Sequence, residues 1–248
     1  MQLVLPLSSE TALIAELHGR LLARFGRPRP CRSLDPVSQL VMGIIGGRTL
    51  GADSLRAFEA LRARFACWEA LCDGPVAAVE AAIQPVTYED AKARHLRRAL
   101  RQVTARRGRL ELDFLRDWPV EPALAWLERL PGVGRKVSAA TLNFSTLRRP
   151  ALVIDTHHLR VLRRLRLVGP RATIALAYDH IVPRLPSGWD AAEYDDHHQL
   201  LKKLGQTYCH AGTPACAGCP LRPLCPSAGA APVVRPPGSR RRRGRARR

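Results

Sequence analysis

An all-α fold is predicted from three features of the 248-residue chain. Apolar residues recur at helical spacing along most of its length, convincing strand alternation is absent, and the one β-rich stretch, residues 151–154, is short enough to be a buried connector. The elements follow in order. Ser8-Ser9 precede Leu13, Ile14, Leu17 and Leu21, an i, i+4 stripe that stops at Gly26. Residues 27–36 form a Pro-rich connection. Asp35-Pro36 reads as the N-cap and first helical position of a helix through Ile45, which Gly46-Gly47 breaks. Asp53 can cap the next helix, to about Phe65. Helical patterns then cover 75–83, 90–104, 121–130, 136–147, 156–167, 172–182 and 194–208. No internal repeat is found.

Composition narrows the partners. Lys and Arg number 40 against 21 acidic residues, a formal charge of +19 with a pI near 11.1. With 46% apolar residues the chain can build a core. Its longest uncharged apolar stretch, residues 40–47, is far below the roughly 20 residues that span a bilayer. Residues 1–7 lack the basic start of a signal peptide. The expected location is therefore the cytoplasm, without membrane contact, and the excess charge points to nucleic acid. Only Lys92, Lys136, Lys202 and Lys203 are lysines, so 36 of the 40 cations are arginine. Arginine grips phosphate but cannot act as an amine nucleophile, which leaves few candidates for lysine chemistry. From 227 to 248 the chain holds eight arginines and no acid, the pattern of a disordered tail able to raise nonspecific affinity.

Four of the seven cysteines lie within 17 residues, as Cys209-x6-Cys216-x2-Cys219-x5-Cys225. An odd total without a secretion signal argues against disulfides. Four thiolates at this spacing suit an iron–sulfur cube or a zinc ion. Structural zinc commonly uses two C-x2-C knuckles and only one is present, so a [4Fe–4S] cluster is favoured over zinc, and incidental cysteines come third. Cys31, Cys67 and Cys72 read as small core residues.

Leu130-Pro131-Gly132-Val133-Gly134-Arg135-Lys136 joins two helical patterns. A tight hairpin of this kind can present backbone N–H groups of Gly132, Val133 and Gly134 to a DNA phosphate, although an ordinary αα-corner has the same pattern. Lys136 opens the following helix, where the dipole disfavours an ammonium and partial burial would lower its pKa. A neutral amine so placed can attack a sugar carbon, while a phosphate-binding lysine is the simpler alternative. Nineteen residues later, Asp155 in Val153-Ile154-Asp155-Thr156-His157 is a good N-cap. It is also a carboxylate able to stabilise positive charge. Arg135 and Arg160 are expected to touch phosphate or hold a cleft, with a surface salt bridge of equal weight. His157, His158, His197 and His198 read as packing or capping residues.

Together, L-P-G-V-G-R-K at 130–136, D-T-H at 155–157, Arg160, His197-His198 and the cysteine spacing resemble the endonuclease III branch of the helix-hairpin-helix DNA glycosylases, over residues 8–226. The resemblance implies a two-domain fold. A six-helix domain with the hairpin would span 27–148, and an iron–sulfur domain would join 8–26 to 149–226. It implies Lys136 as Schiff-base nucleophile, Asp155 as catalytic carboxylate, the four cysteines as cluster ligands, and Arg222 in a cluster-folded loop against DNA. Adenine-removing relatives lack this lysine.

The chain departs from the family where a lesion would be read. Relatives carry S-A-Q-x-T-D where this chain has Gly46-Gly47-Arg48-Thr49-Leu50-Gly51-Ala52-Asp53, which puts Arg48 at the glutamine and lengthens the loop. Their G-L-Y-x-x-K-A wedge appears as Thr87-Tyr88-Glu89-Asp90-Ala91-Lys92-Ala93, with Tyr88 at the leucine. Arginine and tyrosine can both occupy a disrupted base stack. The Lys136–Asp155 spacing is one residue longer than expected. The implied function is a monomeric, nucleoid-associated bifunctional glycosylase/AP lyase, acting on double-stranded DNA with a damaged base or abasic site, oxidised pyrimidines by default. Alternatives are action on deaminated or mismatched bases, a mainly lyase enzyme, or a noncatalytic DNA-binding iron–sulfur protein.

Overall fold

Asp35 caps its helix as the Asp-Pro pair predicts. Its Oδ1 accepts from the Ser38 N–H at 2.9 Å, with Pro36 in the first turn. The computed structural model describes residues 7–29 and 33–229, and the described residues form eleven α-helices and four short 3-10 helices. These are α1 (Leu7–Phe25), α2 (Pro36–Ile45), α3 (Gly51–Arg64), α4 (Trp68–Asp73), α5 (Val76–Ala82), α6 (Glu89–Arg107), α7 (Val120–Glu128), α8 (Arg135–Phe144), α9 (Thr156–Arg164), α10 (Ile174–Ile181) and α11 (Ala191–Thr207). The only β-pairing among the described residues is an isolated bridge between Leu34 and Ser145. Ala151 to Ile154 are fully buried without forming a strand. No helix among the described residues is long and apolar enough to cross a membrane.

Helix α2 is the central strut. Apolar on almost every face, it packs along α8 and also meets α3 and α6. Gly43 permits the close crossing with α8, since a Cβ there would stand 2.7 Å from Val137 Cγ1. At the other end α1 packs on α11, and α11 lies along α9. A capping box fixes the start of α11: Asp190 accepts from Ala192 and Glu193, while Glu193 accepts from the Asp190 N–H. Such a box adds about 1 kcal/mol to a helix start.

Several sequence expectations need correction. Asp53 is not a cap. Helix α3 begins two residues earlier, at Gly51, and Asp53 pairs with Arg56 within the first turn. The six-residue α4 was not expected; it is shorter than two full turns and shows no periodicity. Cys67 is not a core residue but lies exposed at the N-cap of α4, its Sγ accepting from Ala70 N. Cys72 is buried, and burial raises its thiol to about 11. Cys31 and the Arg-rich stretch from 230 onward lie outside the described residues.

Candidate active site and cysteine loop

Gly132 shapes the hairpin between α7 and α8. It adopts φ +78°, and a Cβ would meet His95 of α6 at 2.9 Å, so the turn is pressed against that helix. Val133 is not free for a ligand. Its side chain is buried and its N–H is given to Leu130 O at 3.1 Å. Gly134 occupies the N-cap of α8 with no side-chain cap, so the first-turn amides of Arg135 and Lys136 are the donors that point out of the helix end.

Lys136 is half-buried in that first turn. Burial pulls its pKa below the ordinary lysine value, Asp155 pushes it back up, and Lys202 pulls it down again. Asp155 therefore lies within electrostatic reach of the amine although it comes from another helix. Its Oδ1 caps α9 through His158 N at 2.9 Å, which leaves Oδ2 outside the cap hydrogen bond. Burial opposes ionisation of Asp155, but the neighbouring histidines and the His158 N–H outweigh it, so the carboxyl sits below its usual value. An amine biased toward its neutral form beside a carboxylate biased toward its charged form can attack an electrophilic carbon while the positive charge that develops is countered.

The two arginines expected at phosphate, a cleft or a surface salt bridge each have protein partners. Arg135 binds Glu128 Oε1 at 2.5 Å and Asp179 Oδ1 at 3.1 Å and lies over the Tyr178 ring at 4.6 Å, which joins the hairpin to α10. Arg160 donates to Cys209 O at 2.7 Å and Gly205 O at 2.8 Å, fastening α9 to the end of α11. Arg135 thus makes the salt bridges of the simpler alternative, whereas Arg160 ties two helices through backbone carbonyls.

Arg48 and Tyr88 are exposed, on two loops held together by a clamp that the sequence did not reveal. The buried Lys92 ammonium donates to Ile45 O at 2.7 Å, Gly47 O at 2.6 Å and Thr49 Oγ1 at 2.8 Å. Thr87 closes it, giving its N–H to Thr49 Oγ1 at 3.2 Å and its hydroxyl to Arg48 O at 3.1 Å. Burial and the nearby Lys136 bring Lys92 down to about 8. Three of the four lysines thus gather at one place, Lys92 and Lys202 flanking Lys136. Their rarity was the signal that could have grouped them.

Cys209, Cys216, Cys219 and Cys225 are free thiols, and they influence one another electrostatically. Burial, with the neighbouring thiols, raises Cys219 and Cys225 above the ordinary value. Arg164 organises the loop from the last turn of α9. It donates to Cys209 Sγ at 3.1 Å and His210 O at 2.6 Å, and its own carbonyl accepts from Ser227 Oγ at 2.7 Å. Among the described residues no group of three or more His, Cys, Asp or Glu side chains is arranged to hold a single metal ion. The donor set, four free thiols of which Cys209 accepts from the Arg164 guanidinium, fits the chemistry of a thiolate-bound cluster with net negative charge.

No family model matches the chain. It is 33% identical over 100 residues to endonuclease III of Bacillus subtilis, covering 40% of this chain and 43% of that protein. A solved structure of endonuclease III trapped covalently on DNA superposes with a TM-score of 0.73 at 20% identity, over 91% of this chain and 98% of that one. The fold is that of endonuclease III. A thermostable thymine-DNA glycosylase shares it at a TM-score of 0.69 and 18% identity, over 89% of this chain and 98% of that one. Among the curated relatives it matches, the chain spans about half the length.

Proposed function

We propose that the protein is a bifunctional DNA glycosylase/AP lyase of base excision repair. The observation that carries the reading is the half-buried Lys136 amine at the start of α8, beside the hairpin and within reach of Asp155. The hairpin, through Gly132, Gly134 and the first-turn amides of α8, holds a phosphate of double-stranded DNA, and the damaged nucleotide turns out of the stack into the cleft between the 27–148 domain and the 8–26 plus 149–226 domain. Lys136 Nζ forms a bond to C1′ as the C1′–base bond breaks, the base leaving with the electron pair and picking up a proton. Loss of the amine proton and opening of the sugar at O4′ give an imine, and Asp155 Oδ2 stabilises the positive charge along this path. The imine acidifies the C2′ proton. Its removal expels the 3′ phosphate and breaks the strand.

A covalent adduct on sodium borohydride treatment with an abasic duplex tests this reading, because reduction traps the imine. A noncatalytic DNA-binding protein would give none. Oxidised pyrimidines are the default substrate. Arg48 and Tyr88, exposed on the clamped loops in place of the relatives' glutamine and leucine, favour a second reading in which deaminated or mismatched bases are removed.

Cys209, Cys216, Cys219 and Cys225 would hold a [4Fe–4S] cluster, which would fold the exposed Arg222 loop toward the DNA backbone. The purified protein should be brown and contain about four irons and four sulfides per chain. Zinc at about one per chain, without sulfide, would overturn the assignment. A protein acting on chromosomal DNA would associate with the nucleoid.

A further inference from the structure

Among the described residues Leu50 is the most exposed of the large apolar side chains, at 75%. It lies in the Arg48 loop between α2 and α3, outside the buried core. Its backbone is nevertheless held firmly. Leu50 stands at the N-cap of α3, and its carbonyl accepts from both the N–H and the hydroxyl of Ser54 at 3.0 Å. Two residues earlier Arg48 has φ +57°, and in the facing loop Tyr88 has φ +62°. Left-handed backbone is costly for side chains of this size and persists only where the surroundings impose it. Here the surroundings are the Lys92 and Thr87 hydrogen bonds, which make the two loops one platform. Arg48, Leu50 and Tyr88 are each exposed on the platform, Tyr88 at 58%. It borders the amine, because Lys92 and Lys136 are near enough for their charges to repel. By contrast, the exposed Leu55 and Leu176 lie on the helices α3 and α10, with no strained backbone beside them.

We propose that Leu50 is a wedge that enters the DNA base stack where the everted nucleotide has left, beside Tyr88 on the same rigid platform. The inference rests on the glycosylase/lyase reading. A gap in the stack exposes apolar base faces that suit a leucine, phosphates flank the gap and suit the adjoining Arg48, and inserted apolar side chains are a common means of kinking and unstacking a duplex. A preformed wedge loses little conformational freedom on binding.

The test uses a duplex in which 2-aminopurine stands opposite tetrahydrofuran, an uncleavable abasic analogue, alongside an undamaged duplex. Wild type should raise 2-aminopurine fluorescence as the stack opens. Leu50→Ala should lose most of that rise and bind the analogue duplex about tenfold more weakly, with binding to undamaged duplex unchanged. Leu50→Met should restore both. The proposal fails if Leu50→Ala matches wild type on the analogue duplex, or if it weakens both duplexes alike. Borohydride trapping on a true abasic duplex is run in parallel. Absence of trapping by wild type overturns the lyase reading, while the fluorescence and affinity comparison still decides the wedge.

Discussion

Lys136→Ala will abolish borohydride trapping on an abasic duplex, a loss of at least about a thousandfold, with binding to a tetrahydrofuran duplex within a few-fold of wild type. Binding survives because the hairpin glycines and the first-turn amides of α8 belong to the backbone. Only the neutral amine attacks, so the trapping rate of wild type should rise with pH through the lysine's depressed pKa. The two neighbours then move that profile in opposite directions. Asp155 holds the proton on Lys136, so Asp155→Asn should shift the midpoint to lower pH. Lys202 drives the proton off, so Lys202→Met should shift it to higher pH. A preformed abasic site isolates this effect from base removal, where loss of Asp155 also weakens charge stabilisation. Trapping by Lys136→Ala at the wild-type rate would show that another amine is the nucleophile. Midpoints that stay put, or move together, would show that the electrostatic arrangement is wrong even if the nucleophile is right.

What the sequence disclosed was what depends on near neighbours along the chain. Asp35-Pro36 and Asp155 are caps whose hydrogen bonds reach three residues ahead, and both were legible. So was the hairpin, where Gly132 requires a positive φ, and so was the placement of Lys136 in a helix's first turn. The Asp53 cap failed because local preference was overridden: α3 starts at Gly51, the connection from α2 is only residues 46–50, and Asp53 falls inside the helix. Arg135 and Arg160 were open between phosphate and protein because their partners, Asp179 and the Cys209 carbonyl, stand 44 and 49 residues away. Lys92 shows the same limit most sharply. Its three acceptors lie 43 to 47 residues earlier, and periodicity places it only on the face that α6 turns inward. Motifs report local geometry, whereas the meeting of α2, α6 and α8 around the amine is a property of the packed helices.

A second large effect is expected in acid. His158, His197 and His198 are buried beneath the Asp155 cap, and His18 joins them from α1. His158 Nδ1 and His198 Nδ1 both donate to Val153 O, at 3.2 and 2.7 Å, so a further proton on either ring must go to Nε2. His158 Nε2 is buried without a partner, and His197 Nδ1 faces His18 Nδ1 at 3.3 Å, so one must donate and the other accept. Burial lowers all four, His158 to about 4 and His198 to about 3, with Asp155 only partly opposing it in these two. A folded pKa below the unfolded value of 6.5 means that the unfolded chain binds more protons below that pH. Stability is therefore full above 6.5 and falls as the solution is acidified toward 4. At pH 5 each such histidine costs about 2 kcal/mol, and two of them cost about 4 kcal/mol, a large fraction of the 5–15 kcal/mol typical of a domain. Denaturant titrations at pH 7 and pH 5 should show this drop, and His158→Phe should reduce it by roughly one histidine's share. Comparing variant with parent cancels the groups that His158 does not influence, the cysteine loop among them, while Asp155, His197 and His198 shift with it. Equal pH dependence in the two proteins would mean that His158 is protonated without unfolding. Loss of the drop would place the acid-sensitive joint directly under Asp155, so that the carboxylate and its cap fail together.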